Sequence, residues 1–155
     1  MTAESKILLL HDLSRRPDGM YDSTPSHITV IPPFKTNSVE TIYNLLKEEV
    51  QDFKPFIIKP GAIKYYGENN DIPVITVDDV ENGFGNLHQK LIRALGDVGM
   101  ANVIDMRWAG DNYSPHTTEP TAEFIKHNEY VVSDVSVQSW FPGEAKSIRR
   151  FPFYC

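Results

Sequence analysis

Apolar residues along this chain follow two rhythms. The helical one is confined to two windows. Val39, Ile42, Tyr43, Leu46, Val50 and Phe53 recur at steps of three and four and predict an amphipathic helix. Asn37, with Glu40 three residues on, resembles a capping box at its start, and Pro55 closes it. Phe84, Leu87, Leu91 and Leu95 predict a second helix over residues 84–96, with Gly96 and Gly99 offering its stop. In that helix His88, next to Leu87, is expected to face solvent. The remaining apolar segments are short or alternate, and predict strands. The run Ile7-Leu8-Leu9-Leu10 marks a buried strand over 6–10 that His11 ends. A strand beginning at His27 is expected to stop at Pro32-Pro33. Residues 56–59 and 62–66 flank a Pro60-Gly61 break, and a polar turn over 67–71 joins them to 74–77 as a hairpin. Further strands are expected over 103–108, over 130–140 and, after a Pro142-Gly143 turn, over 145–153. Residues 12–25 read as a loop whose bulky Met20 and Tyr21 can hang over a site. Residues 109–114 form a second loop, and 119–129 a loop or one turn of helix. The sum is an α+β fold with seven to nine strands and two main helices. Residues 1–155 carry no linker or low-complexity tract and are expected to form one domain.

Two of the segments carry chemistry. Ser26-His27-Ile28-Thr29-Val30-Ile31 and Pro115-His116-Thr117-Thr118 each contain a His-x-Thr tripeptide in an extended setting. Residues i and i+2 of a strand share a face. His27 therefore lies beside Thr29, with Ile28 and Val30 behind, and His116 lies beside Thr118. Two such strands side by side bring two imidazoles and two hydroxyls to one cleft. One neutral and one protonated imidazole can act as base and acid without a metal. Hydroxyls beside them can donate to the non-bridging oxygens of a phosphate.

These residues resemble the 2H phosphoesterase superfamily, which contains the 2′-5′ RNA ligase-like proteins and cyclic nucleotide phosphodiesterases and has two His-x-Thr/Ser-hydrophobic motifs. The first motif, followed by Pro32-Pro33-Phe34, matches closely. The second matches at Pro115, His116 and Thr118 but departs at Glu119, where an aliphatic is usual, and at Pro120. The resemblance implies two pseudo-symmetric lobes, with antiparallel sheets flanking a central cleft and helices outside. It implies His27 and His116 as the catalytic pair, and Thr29 and Thr118 as phosphate binders. The implied activity is hydrolysis of a 2′,3′-cyclic phosphate or of a small cyclic or 2′-5′ oligonucleotide, with ligation possible at the same site. The cyclic oligonucleotide defence signals that phage relatives degrade fall within that range. The alternative is a module that binds nucleotides or RNA ends with little turnover.

Composition narrows the partners. A formal charge of −6 over 155 residues disfavours a grip on long nucleic acid and leaves a small nucleotide or short oligonucleotide as the expected substrate. The sole cysteine, Cys155, permits no intrachain disulfide or cysteine metal cage, and no His-x-His or His-Glu-x-x-His spacing occurs. No cofactor or metal is therefore expected. The apolar run at 7–10 is too short for a signal segment or a membrane span, so the protein is expected to be a cytoplasmic monomer without membrane contact. Tyr113, three residues before His116, is a candidate platform for a base. Phe34 and Trp140 are better read as core. Lys35, Arg107, Arg149 and Arg150 are candidate cleft cations, and His11 and His127 have no partner legible in the sequence.

Overall fold

The computed structural model describes residues 5–100, 104, 106–118, 120–126, 129–140 and 146–153. Among them, strands β1 (Ser5–Asp12), β2 (Gly19–Tyr21) and β3 (His27–Thr36) come first, followed by helix α1 (Val39–Val50). Next are the hairpin β4 (Phe56–Tyr66) and β5 (Ile72–Asp78), helix α2 (Gly83–Asp97) and a 3₁₀ turn, Gly110–Asn112. Strand β6 (His116–Thr117), helix α3 (Ala122–Lys126) and strands β7 (Tyr130–Val132), β8 (Asp134–Trp140) and β9 (Lys146–Pro152) complete the described order. The strands form two antiparallel sheets, ordered β2-β9-β8-β1-β3 and β6-β5-β4-β7. This is the mixed α and β fold that the hydrophobic rhythm predicted, with the antiparallel sheets that the resemblance implied. No helix among the described residues is long and apolar enough to cross a membrane.

The run Ile7-Leu8-Leu9-Leu10 is buried on both faces of β1, an interior strand of the larger sheet between β3 and β8. A strand covered on both sides has no need of alternation. His11 does not end this strand; pairing continues to Asp12, opposite His27. Nor does Pro32-Pro33 end β3, which runs through both prolines to Thr36. β3 is an edge strand, so the missing N–H groups leave no ladder bond broken on its open side. The register with β1 also slips there, between the pairs Leu9–Ile31 and Ile7–Phe34.

Helix α1 is capped one residue later than the Asn37 box suggests. The Ser38 hydroxyl accepts from the Thr41 N–H at 3.3 Å, and Ile42, Leu45, Leu46 and Val50 are buried beneath the helix. At α2 the cap comes from outside the helix: the Asp79 carboxylate accepts from the N–H groups of Phe84 and Gly85. The helix closes with Gly99 at φ +79°, where the Gly99 N–H donates to Gly96 and the Met100 N–H to Leu95. That paired return is a Schellman motif, and its left-handed residue favours glycine. Between helices and sheets, Phe56 meets Phe84 edge-on at 5.0 Å, and Phe53 packs on Phe153 at 5.1 Å. These rings join α1, β4, α2 and the end of β9 in one core.

Three further expectations need correction. The 12–25 segment is not all loop, because β2 pairs with β9. Met20 and Tyr21 thus lie on the edge of the sheet opposite β3. In the 103–108 segment, Met106 to Trp108 turn rather than extend, while 103 and 105 lie outside the described residues. Residues 130–140 are two strands rather than one. The chain leaves β4 after Val132 and joins β1 and β9 from Asp134, changing sheets at Ser133. The Pro142-Gly143 turn lies outside the described residues.

The two faces of the larger sheet differ in chemistry. Ile7, Leu9, Val135, Val137 and Phe151 join the helix-side core. Cross-strand partners share a face, and the pairs Leu10–Thr29, Leu10–Ser136, Asp12–His27 and Leu8–Gln138 place the remaining residues on the other side. That face is buried at Leu8, Leu10, Ser136 and Gln138, and neither amide atom of Gln138 has a hydrogen-bond partner among the described residues. A buried polar group without a partner costs about 1–3 kcal/mol. Replacing Gln138 by the similarly shaped Met removes that cost, so Gln138→Met is expected to stabilise the fold by about 1 kcal/mol, measured as a raised urea midpoint with an unchanged denaturant slope.

Candidate active site

The site is built where two sheet edges meet. β3 is the outer strand of the larger sheet and β6 the outer strand of the smaller, and their Cα atoms come within 8 Å of each other. β3 arrives there with a fixed face. Ile28 and Val30 are fully buried in the helix-side core, each contributing about 1.5–3 kcal/mol. Strand alternation then leaves His27 and Thr29, both half-buried, on the opposite side. β6 is held by β5, with Thr76 opposite His116 and Ile75 opposite Thr117, and the Val77 N–H donates to the Pro115 carbonyl at 3.1 Å. Thr117 is buried, whereas Thr118 lies just beyond the strand and is exposed.

Both imidazoles are held in the same local way. His27 Nδ1 lies 2.8 Å from the Pro25 carbonyl, and His116 Nδ1 lies 2.9 Å from the Ser114 carbonyl, in each case two residues back along the chain. A carbonyl only accepts, so Nδ1 carries the proton in both rings. In the neutral ring Nε2 is then the basic nitrogen, and it is the one that takes or gives a proton. Tyr66 packs edge-on against His116, with ring centroids 4.9 Å apart, and helps fix its orientation. Its nearness to His116 was not legible in the sequence, because it depends on how β4, β5 and β6 pair.

His88 departs most from expectation. It is fully buried, not solvent-facing. Its spacing carried the signal: position 88 is four residues after Phe84 and three before Leu91, within the buried arc of α2. His88 Nδ1–H donates to the Val30 carbonyl at 2.7 Å, and Nε2 accepts from the Gly110 N–H at 2.8 Å. Burial lowers its pKa, with the Val30 hydrogen bond opposing, which suits a neutral ring that must accept at Nε2. Tyr113 stacks on this imidazole with centroids 4.0 Å apart and planes 3° from parallel, and its hydroxyl donates to the Thr29 carbonyl at 2.8 Å. Burial, with the Asp79 carboxylate, pushes that hydroxyl pKa well up. One face of the Tyr113 ring, the candidate base platform, is thus taken by His88.

The other candidates scatter. Arg150 lies in the cross-strand row of Ser136, Leu10 and Thr29, with Nε 3.6 Å from Asp134. Arg149 instead covers Tyr43 at 4.6 Å, on the side where Tyr43 packs against the core. Lys35 is exposed near the far end of β3, and Phe34 is core. Trp140 is half-buried beneath the Lys6 ammonium. His11 is buried between the Asp134 carbonyl and the Tyr130 hydroxyl, and His127 lies outside the described residues. Among the described residues no group of three or more His, Cys, Asp or Glu side chains is placed to hold a metal ion. A groove of about 420 Å³ lies between α1 and α2, lined by Glu49, Asn86, Lys90 and Asp97, away from His27 and His116.

Residues 5–129, which include both His-x-Thr motifs, match the model of the 2′-5′ RNA ligase superfamily. The chain belongs to that superfamily. Solved structures agree in fold across almost the whole chain. TT0787 of Thermus thermophilus is similar with a TM-score of 0.65 at 14% identity, covering 96% of this chain and 98% of its own. Escherichia coli LigT, solved in complex with 3′-AMP, is similar with a TM-score of 0.60 at 12% identity, covering 99% and 100% respectively. No curated protein sequence matches the chain. The 2H phosphoesterase resemblance read from the two motifs is therefore the family of this chain.

The shared carbonyl contacts carry a test. Long-range ¹H–¹⁵N spectra at a pH above the imidazole pKa are expected to show His27 and His116 as Nδ1–H tautomers, the minor form of free imidazole. An Nε2–H assignment for either ring would contradict the hydrogen bonds to Pro25 and Ser114.

Proposed function

We propose that this member of the 2′-5′ RNA ligase superfamily is a metal-independent phosphodiesterase. It hydrolyses a 2′,3′-cyclic phosphate or a small cyclic or 2′-5′-linked oligonucleotide. The observation that carries the reading is the matched pair of histidines, each with Nδ1 tied to its own chain, on adjoining edge strands β3 and β6. In this mechanism one Nε2 removes a proton from water as its oxygen attacks phosphorus. The P–O bond to the departing 2′ or 3′ oxygen breaks, and the other imidazolium donates its Nε2 proton to that oxygen. Thr29 and Thr118 donate hydrogen bonds to the non-bridging oxygens as charge builds there. The two rings exchange protonation states over the cycle, and run in reverse the same pair supports transesterification or ligation.

The acidic balance of the chain favours a small soluble substrate, including the cyclic oligonucleotide signals that phage enzymes remove, over long RNA. In this reading residues 1–155 act as one domain of two lobes, each supplying one motif. A second reading, a nucleotide or RNA-end binding module with little turnover, is favoured by one feature. β6 is only two residues long, so Thr118 lies outside strand pairing and is exposed.

A panel of 2′,3′-cyclic mononucleotides, a 2′,3′-cyclic-ended RNA, 2′-5′ oligoadenylate and cyclic di- and trinucleotides, assayed with EDTA, separates the readings. Turnover is expected to persist in EDTA and to drop about 10²- to 10⁴-fold in His27→Ala and in His116→Ala. Thr29→Val is expected to lower kcat about 10- to 100-fold with less effect on KM. Saturable nucleotide binding with no turnover of any member would establish the binding module instead.

A further inference from the structure

The Val30 region of β3 carries an irregularity that the two motifs alone do not explain. Opposite β1 the register moves from Leu10–Thr29 to Leu9–Ile31, so Val30 is an extra residue, a β-bulge. Consecutive carbonyls of a regular edge strand point alternately towards and away from the neighbouring strand. At this bulge two in succession, Thr29 and Val30, accept from side chains outside the sheet: Tyr113 Oη–H at 2.8 Å and His88 Nδ1–H at 2.7 Å.

Both donors lead to the second motif. His88 Nε2 accepts from the N–H of Gly110, the first residue of the 3₁₀ turn, and the Tyr113 N–H closes that turn on the Gly110 carbonyl. Tyr113 is followed by Ser114, whose carbonyl holds Nδ1 of His116. A continuous path of short contacts therefore runs from the Thr29 and Val30 backbone, through the stacked Tyr113 and His88 rings, to the His116 imidazole. Helix α2 provides the rigid mount, because His88 is fully buried among its packed residues.

We propose that His88 and Tyr113 are positioning residues that hold His116 in register with His27 and Thr29. This rests on the reading of His27 and His116 as the acid and base. The two motifs lie on different sheets that, among the described residues, share no ladder hydrogen bonds at this junction, so their relative placement needs a separate connection. Misplacement of a reacting group by about 1 Å can cost about 10²-fold in rate. A neutral His88 is suited to the task because it donates and accepts at once, and the parallel stack prevents either ring from tilting.

Tyr113→Phe tests this without removing the stack, since it deletes only the hydroxyl that reaches Thr29. On the best cyclic phosphate substrate it is expected to lower kcat about tenfold and change KM less than twofold. In a His116→Ala background the same substitution is expected to change the residual rate less than twofold. His88→Gln, which keeps a donor and an acceptor, is expected to retain more activity than His88→Ala. A Tyr113→Phe enzyme within twofold of wild-type kcat, or an equal loss in the His116→Ala background, would overturn the proposal. Should the wild type turn over nothing, the functional reading fails by itself, and the positioning role is read by NMR. Tyr113→Phe is then expected to shift the His116 imidazole resonances, and unchanged resonances would overturn it.

Discussion

The alternation of β3 is the constraint on which the site depends. Ile28 and Val30 are withdrawn from water into the core beneath α1 and α2, and that burial decides which way His27 and Thr29 point. A slip of one residue would expose two aliphatic side chains and bury an imidazole and a hydroxyl. The cost of the exposed aliphatics alone is about 3–6 kcal/mol, a large part of the net stability of a domain of this size. The chemical face of the strand is thus specified by its non-chemical one. The same holds on α2, where Phe84, Leu87 and Leu91 bury the helix and carry His88 inward with them.

Local hydrogen bonds then convert a strand face into a reactive geometry. Each motif histidine is tied at Nδ1 to a carbonyl two residues back, so each ring is oriented mainly by its own chain segment. What local bonding cannot do is set the distance between the motifs, because β3 and β6 are edges of separate sheets. The packing of α2 and the 3₁₀ turn against the β3 bulge bridges that gap with polar contacts that are buried or partly buried. Such contacts are strong in a desolvated setting and costly to leave half-made. They fit a role in alignment better than one in stability.

The departures of the fold from its local pattern have physical causes. Pro32-Pro33 is a sound stop signal for a strand hydrogen-bonded on both sides, but β3 sits at an edge and the bulged register absorbs both prolines. The alternation of 130–140 runs across a change of sheet at Ser133, since both segments are extended and only their partners differ. His88 is buried despite its polar type, because its positions relative to Phe84 and Leu91 lie within the buried arc. At the prolines and at Ser133 the neighbouring strand decides; at His88 the helical spacing itself does.

Period and residue type were enough to determine the two main helices, the β4–β5 hairpin, the buried run of β1 and the shared face of His27 and Thr29 on β3. These follow from contacts within a few residues, where the spacing of apolar positions fixes the exposed and buried faces. The two motifs also identified the superfamily that the matched residues 5–129 establish. Only the tertiary structure decided strand order, the bulge at Val30, the sheet change at Ser133 and the link from His88 and Tyr113 to β3. Those features join residues far apart in the chain, such as Thr29 and Tyr113, and they depend on which surfaces burial brings together. No local pattern encodes that choice.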